Sequence, residues 1–278
     1  MDIRTNHSPI PMATLPNSHR WVMRSKESGR DYQISVAFPS EEPSSQGFPI
    51  VYLLDGNSVF GTMVESVRLQ SRMPARTGIG PAIVVGIGYE TDTPFHPNRH
   101  YDYTLPVLAS ELPPSYDGKG WPEQGGADLF LSFIEEELKP YIEQQYPVNK
   151  ERQILFGHSL GGLFTLHTLF TRPESFQTYI AGSPSIAWNE RLLLEEEKEF
   201  YLKLNLIKHK KHLLLSAGEL ERSHESKVNE KAEELAKRLS NHTNLVVAYE
   251  EFANENHISV LPVLIARAIR FSLKVSEE

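Results

Sequence analysis

The segment Gly157-His158-Ser159-Leu160-Gly161 sets a serine between two glycines in the spacing G-x-S-x-G. That spacing suits a nucleophile carried on a sharp strand-to-helix turn. A hydroxyl held there stands clear of its own backbone at the C-terminal edge of a sheet. The helix that follows offers N–H groups and the positive end of its dipole to developing negative charge. Chance alone would produce the pattern in roughly one chain in ten of this length. The flanks make it more specific: Ile154–Phe156 is a short apolar strand ending in glycine, and Leu160–Phe170 is apolar on nearly all sides, as a buried helix should be. Ser159 is the expected nucleophile of an acyl-transfer reaction.

A serine hydroxyl is a weak nucleophile until an imidazole takes its proton. On this kind of elbow the chain order is serine, acid, histidine. His167, His209, His212, His224, His242 and His257 follow Ser159. His167 lies in the buried helix and points away, while His209, His212 and His242 precede or open strands, at the wrong end of the sheet. His257 falls in the loop Ala253-Asn254-Glu255-Asn256-His257, after the strand LVVAYEEF and before the last helix. It is the expected base. The acid should follow the strand HLLLSA, where the chain reads Gly218-Glu219-Leu220-Glu221-Arg222. Glu221 is favoured and Glu219 is the alternate, with plain surface charge the ordinary reading of each. Two N–H groups must meet the oxyanion. One is the amide of Leu160; the other is Gly56 or Asn57, in the Asp55-Gly56-Asn57 loop after PIVYLL, unless that loop is only a turn.

These groups need a sheet to converge on. Apolar, β-branched runs recur at Gln33–Phe38, Pro49–Leu54, Ala82–Ile87, Ile154–Phe156, Thr178–Ala181, His212–Ala217 and Leu245–Tyr249. The first alternates and meets a Pro/Ser/Gly loop, so it reads as a hairpin edge; the continuously apolar ones read as strands covered on both faces. Helical patterns occupy Leu129–Gln145, Leu160–Phe170, Lys227–Leu239 and Val260–Val275. Strand and helix in alternation imply crossover connections and a mostly parallel sheet with helices on both faces. No composition break divides the chain, so residues 1–278 read as a single α/β domain. The irregular stretch from Pro94 to Gly126 reads as a lid or rim. Within it Trp121 and Tyr116 are candidate lid aromatics, with simple loop packing the ordinary alternative.

The 278 residues are 40% hydrophobic and 23% charged, which fits an ordinary globular protein. The chain has no cysteine, which removes disulfides, thiolate metal sites and a cysteine nucleophile together. The formal net charge is −8 and no basic run suits nucleic acid. No apolar stretch is long enough to span a membrane. The opening MDIRTNHSPIPMATLPNSHRW lacks a basic segment followed by an apolar run, so a cytoplasmic protein is expected.

YLLDGN (Tyr52–Asn57), RHYDYT (Arg99–Thr104), GHSLGG (Gly157–Gly162), SPSIAW (Ser183–Trp188), AGELE (Ala217–Glu221) and the late His257 together resemble the esterase D-like family of α/β-hydrolases. The siderophore trilactone esterases of that family are the most similar in pattern. The likeness runs from about Arg30 to the C-terminus. GHSLGG is shared by many hydrolases, and its combination with YLLDGN and SPSIAW is far more specific. The resemblance implies an α/β-hydrolase fold, no cofactor and no metal. It also implies hydrolysis of serine-ester bonds in a cyclic or linear catecholate siderophore, a small-molecule ester that can carry iron. Such a substrate is strongly anionic and should want basic surroundings; Arg99, Arg68, Arg72 and Arg76 are candidates for a basic rim. Arg99 and Trp188 are candidate substrate-binding residues, although Arg99 is also expected to pair with Asp102, and plain packing is an equally good reading of Trp188. The competing readings are a thioesterase or S-formylglutathione-hydrolase-like short-acyl esterase, and a non-catalytic binding protein on the same fold.

Overall fold

The computed structural model describes residues 13–108, 112, 118 and 120–274. Its first half contains β1 (Ser18–Arg24), β2 (Asp31–Ala37), β3 (Phe48–Leu53), α1 (Gly56–Ser71), the short α2 (Pro74–Thr77) and β4 (Ile83–Gly88). The short α3 (Arg99–Asp102) follows. A continuous helical stretch then runs through α4 (Ala127–Ser132), a π-helical segment (Phe133–Leu138) and α5 (Lys139–Gln145). The second half alternates strand and helix: β5 (Val148–His158), α6 (Leu160–Thr171), β6 (Thr178–Gly182), α7 (Glu190–Lys203), β7 (Lys211–Gly218), α8 (Val228–Leu239), β8 (Leu245–Phe252) and α9 (Val260–Ser272).

The strands form one sheet in the order β1-β2-β4-β3-β5-β6-β7-β8. β2 is antiparallel to β1 and β4, and the pairs from β4 to β8 are parallel. This is the α/β-hydrolase fold. Parallel strands are covered on both faces, which explains their unbroken apolar runs. Along β3, Ile50 and Tyr52 enter one core layer, with Leu155, Phe164 and Leu213. Val51 and Leu53 enter the other, with Phe60 and Val64 of α1 and Leu264 and Ile265 of α9.

Three elements escape the apolar pattern. β1 exposes most of its residues, and Val22 is 43% exposed, so no clear alternation marks it as a strand. It is β1, not β2, that forms the sheet edge: the hairpin joins β2 to the strand before it, across Ser25–Arg30. α1 opens on Asp55-Gly56-Asn57, which reads as a turn. α7 carries the run EEEKE and buries only Leu193, Glu197 and Phe200. β5 also begins six residues before Ile154, because its first half is polar and its N-terminal end pairs with β3 at Phe48 alone. The last helix ends at Ser272; Val275 lies outside the described residues, as does Tyr116.

His167 of α6 points away from Ser159, as expected, and into a clamp. Its Nδ1 lies 2.8 Å from Glu196 Oε1 of α7, and its Nε2 lies 3.4 Å from Asp128 Oδ1 of α4. Burial opposes its charge, but the two carboxylates outweigh burial and raise it from 6.5 to about 9. A group raised in this way stabilises the fold fully below its unfolded value and loses that contribution as pH rises through its folded value. We expect the stability advantage of wild type over His167→Gln to shrink by about 3 kcal/mol between pH about 6 and about 10, measured by urea denaturation across that range.

Candidate active site

Ser159 ends the crossing from β5 to α6 with φ 60° and ψ −120°, a backbone region that costs a non-glycine residue of order 1–3 kcal/mol. The surroundings impose it. The Ser159 amide donates to Gly182 O at 2.9 Å, and its carbonyl accepts from the amides of Leu163 and Ser185, each at 3.0 Å. Two glycines permit the close crossing. A Cβ on Gly157 would fall 2.1 Å from Gly161 O, and one on Gly162 would fall 2.8 Å from Gly182 O. Gly161 itself has ordinary contact room, 3.5 Å to Leu54. The second glycine that the elbow demands is therefore Gly162, one residue beyond the G-x-S-x-G pattern.

The loops that follow β3, β6, β7 and β8 gather at the same sheet edge. After β7, a 3₁₀ turn (Glu219–Ser223) carries Glu221, 5% exposed. Its Oε1 accepts from the Gly218 amide at 2.8 Å and from Ser183 Oγ at 2.6 Å. Its Oε2 lies 2.6 Å from His257 Nδ1. Burial would raise the carboxyl, but the bonds from His257, Ser183 and Gly218 hold it below its usual range. Glu221 is thus ionised and can only accept, so Nδ1 of His257 carries the proton and Nε2 is free to act as a base. Glu219 is exposed and accepts from the Asn254 amide at 2.8 Å, which fastens the loop bearing His257. Of the two glutamates, the structure brings Glu221 to the histidine and gives Glu219 the loop.

Ser159, His158 and His257 border one cleft of about 660 Å³, with Phe95, His96, Pro97, Arg99, His100, Gly120, Trp121, Pro122 and Ile258. The Ser159 hydroxyl lies 3.3 Å from Ser185 Oγ, its hydrogen-bond partner among the described residues. A turn of its side chain toward His257 is needed before attack, and such bonds commonly tighten only when substrate is bound. Leu160 opens α6, and Gly56 and Asn57 open α1, so their amides belong to first turns that lack intrahelical acceptors. The Asn57 side chain is engaged elsewhere: Nδ2 donates to Tyr89 O and Thr91 O, and Oδ1 accepts from the Tyr89 amide.

Arg99 pairs with Asp55, not with Asp102. Nε and Nη2 donate to the two Asp55 carboxylate oxygens at 2.8 Å each, and Nη2 reaches His158 O at 3.4 Å. Asp102 instead accepts from Tyr32 Oη at 3.0 Å and Tyr89 Oη at 2.8 Å, and burial lifts it to about 6. No basic rim forms from the other arginines: Arg68 pairs with Glu65, and Arg68 and Arg72 line a separate groove beside Pro16 and Phe38. Trp188 stands behind the cleft wall. It packs edge-on against Trp121 at 4.4 Å, with His100 5.6 Å from both indoles, and its Nε1 donates to Gln124 Oε1.

Two of the four cleft histidines are held neutral. Burial, reinforced by Arg99, lowers His100 to about 4; burial, then His257 and Arg99, push His158 well below its usual range. Among the described residues, no carboxylate lines the cleft. Sequence reasoning overlooked Asp55, Ser183 and Ser185. The signal lies in YLLDGN and SPSIAW, whose aspartate and two serines carry these contacts alongside the amides and the tryptophan. Because Asp55 is 4% exposed, Arg99→Met would strand a buried carboxylate. We expect that variant to lose about 3–5 kcal/mol in chemical denaturation, and the double variant with Asp55→Asn to lose less.

A family model described as "Putative esterase" matches residues 25–258. The chain is 49% identical over 272 residues to the ferri-bacillibactin esterase BesA of Bacillus subtilis (strain 168), a match covering 97% of this chain and 94% of that protein. Among solved structures it resembles the BES protein from Bacillus cereus at TM-score 0.90 and 41% identity, covering 96% of this chain and 100% of that one. It also resembles the siderophore hydrolase EstA from Aspergillus nidulans at TM-score 0.83 and 34% identity, covering 98% and 99%.

Proposed function

The chain belongs to the Putative esterase family of ester-hydrolysing enzymes, and from that premise we propose that it cleaves the ester bonds of a catecholate siderophore through an acyl-enzyme on Ser159. The observation that carries the chemistry is the His257–Glu221 pair at 2.6 Å, beside a serine on a strained elbow in the same cleft. Ser159 Oγ leaves Ser185 and gives its proton to His257 Nε2 as it attacks the ester carbonyl. The amide of Leu160 and that of Gly56 or Asn57 receive the oxyanion. Ionised Glu221 steadies the imidazolium, which then protonates the departing alcohol. His257 next deprotonates a water, and hydroxide attack releases the acid and restores Ser159.

Two facts support the substrate class. The relatives are named for ferri-bacillibactin and for siderophores. Among the described residues the cleft wall is rich in aromatic rings, Phe95, His100 and Trp121, and carries no carboxylate, with Arg99 contributing a charge already balanced by Asp55. The same reading takes the chain as a single domain, with residues 94–126 as the rim of the site, acting in the cytoplasm on iron-loaded or iron-free substrate. No helix among the described residues is long and apolar enough to cross a membrane.

Ser159→Ala should lower kcat on an activated aryl ester and on a ferric trilactone by about a thousandfold or more in steady-state assays. Undiminished turnover would sink the nucleophile assignment. In a panel that adds S-formylglutathione and an acyl-CoA, turnover of the thioesters without the trilactone would refute the siderophore reading. Glu221→Gln should lower kcat about a hundredfold or more, whereas Glu219→Gln should stay within about threefold of wild type.

A further inference from the structure

The turn after β6, Gly182-Ser183-Pro184-Ser185, touches the site at four points. Gly182 O accepts from the Ser159 amide, and the Ser185 amide donates to Ser159 O. Ser185 Oγ meets Ser159 Oγ, and Ser183 Oγ donates to Glu221 Oε1 at 2.6 Å. Ser183 is itself fixed on every side. It is fully buried, its amide donates to Ser216 O at 2.7 Å, and it holds φ at +38°, where a side chain is rarely tolerated. A serine kept in that conformation spends conformational energy for a reason, and its one side-chain bond among the described residues goes to Glu221.

Glu221 has two oxygens with different duties. Oε2 meets His257, while Oε1 is gripped by two donors, Ser183 Oγ and the Gly218 amide. The amide alone would let the carboxylate swing about a single bond; a second donor from the neighbouring strand's loop fixes its plane. We propose that Ser183 is a positioning residue for ester hydrolysis, which holds the Glu221 carboxylate in the plane that His257 needs. The proposal rests on the triad reading of Ser159, His257 and Glu221. It sets the SPS turn between nucleophile and acid, so that one rigid segment sets the place of both.

Ser183→Gly removes the hydroxyl while suiting the positive φ, so the fold is not penalised by backbone strain; Ser183→Ala removes the hydroxyl and keeps the Cβ. In both variants kcat on an activated aryl ester should fall about tenfold, with KM within about twofold of wild type. The strongly deshielded proton resonance of the His257–Glu221 bond should shift or vanish, and the unfolding midpoint of Ser183→Gly should not drop. In a Glu221→Gln background, Ser183→Gly should add no further loss, because the two act through one bond. Wild-type kcat together with an unmoved proton resonance in Ser183→Gly would overturn the proposal, as would a full tenfold loss added on top of Glu221→Gln. A wild-type protein that turned over no ester would sink the hydrolase reading instead, and the proton resonance, which needs no turnover, would still decide the role of Ser183.

Discussion

The chain reverses at Ser159 within five residues, and the room for that reversal comes from two missing side chains. Gly157 passes so close to the Gly161 carbonyl that a Cβ there would sit 2.1 Å away, and Gly162 lies nearly as tightly against Gly182 O. Close packing leaves no slack for either atom. Once β5 and α6 cross in this way, Ser159 must take a positive φ, and its hydroxyl must leave the strand on the side of the cleft. The strain is held by three backbone bonds, to Gly182, Leu163 and Ser185. Part of the nucleophile's placement is therefore set by the neighbouring strand, not by its own turn.

The same sheet edge solves the rest of the assembly. In a parallel sheet every strand delivers its following loop to one side, so groups far apart in sequence meet without long excursions. Ser159, Glu221 and His257 follow β5, β7 and β8, and the intervening β6 supplies the turn that bonds to the first two. The Asp55–Arg99 pair does the corresponding work on the other flank. It ties the loop after β3 to α3 and, through the His158 carbonyl, to the elbow. A buried pair of this kind contributes little net stability, but removing one partner is costly, which makes it an effective way to lock one arrangement.

Much of this was legible in the residues because parallel strands and a strand–turn–helix elbow leave strong local patterns. The seven apolar runs coincide with β2 to β8, and His257 sits in the loop that leaves β8 at the edge where Ser159 stands. What escaped depended on contacts between segments. β1 is half solvated and shows no alternation; α1 hides behind turn residues; α7 is mostly charge. Glu221 and Glu219 are chemically identical in sequence, and only the burial of one and the exposure of the other separates them. Arg99 had an acidic residue three positions away in Asp102, yet its partner is Asp55, 44 residues earlier. Local spacing could not reveal that, because α3 packs its two ends against different strands' loops.

The charge of the molecule and the charge of its cleft are separate quantities. A net −8 spread evenly would oppose an anionic substrate, but screening confines a surface charge's influence to roughly 8 Å at physiological salt. The described residues that line the cleft include no carboxylate. The two acids that pair with lining side chains are themselves matched, Asp55 by Arg99 and Glu221 by His257, Ser183 and Gly218. For the proposed substrate, the groups available for contact are then aromatic rings, neutral imidazoles and one balanced guanidinium, while the distant acidic surface would act mainly on the rate of encounter. Under the proposed reading, a site built this way would favour flat, polarisable rings over bare charge, and the aromatic grouping of His100, Trp121 and Trp188 is where that preference would be set.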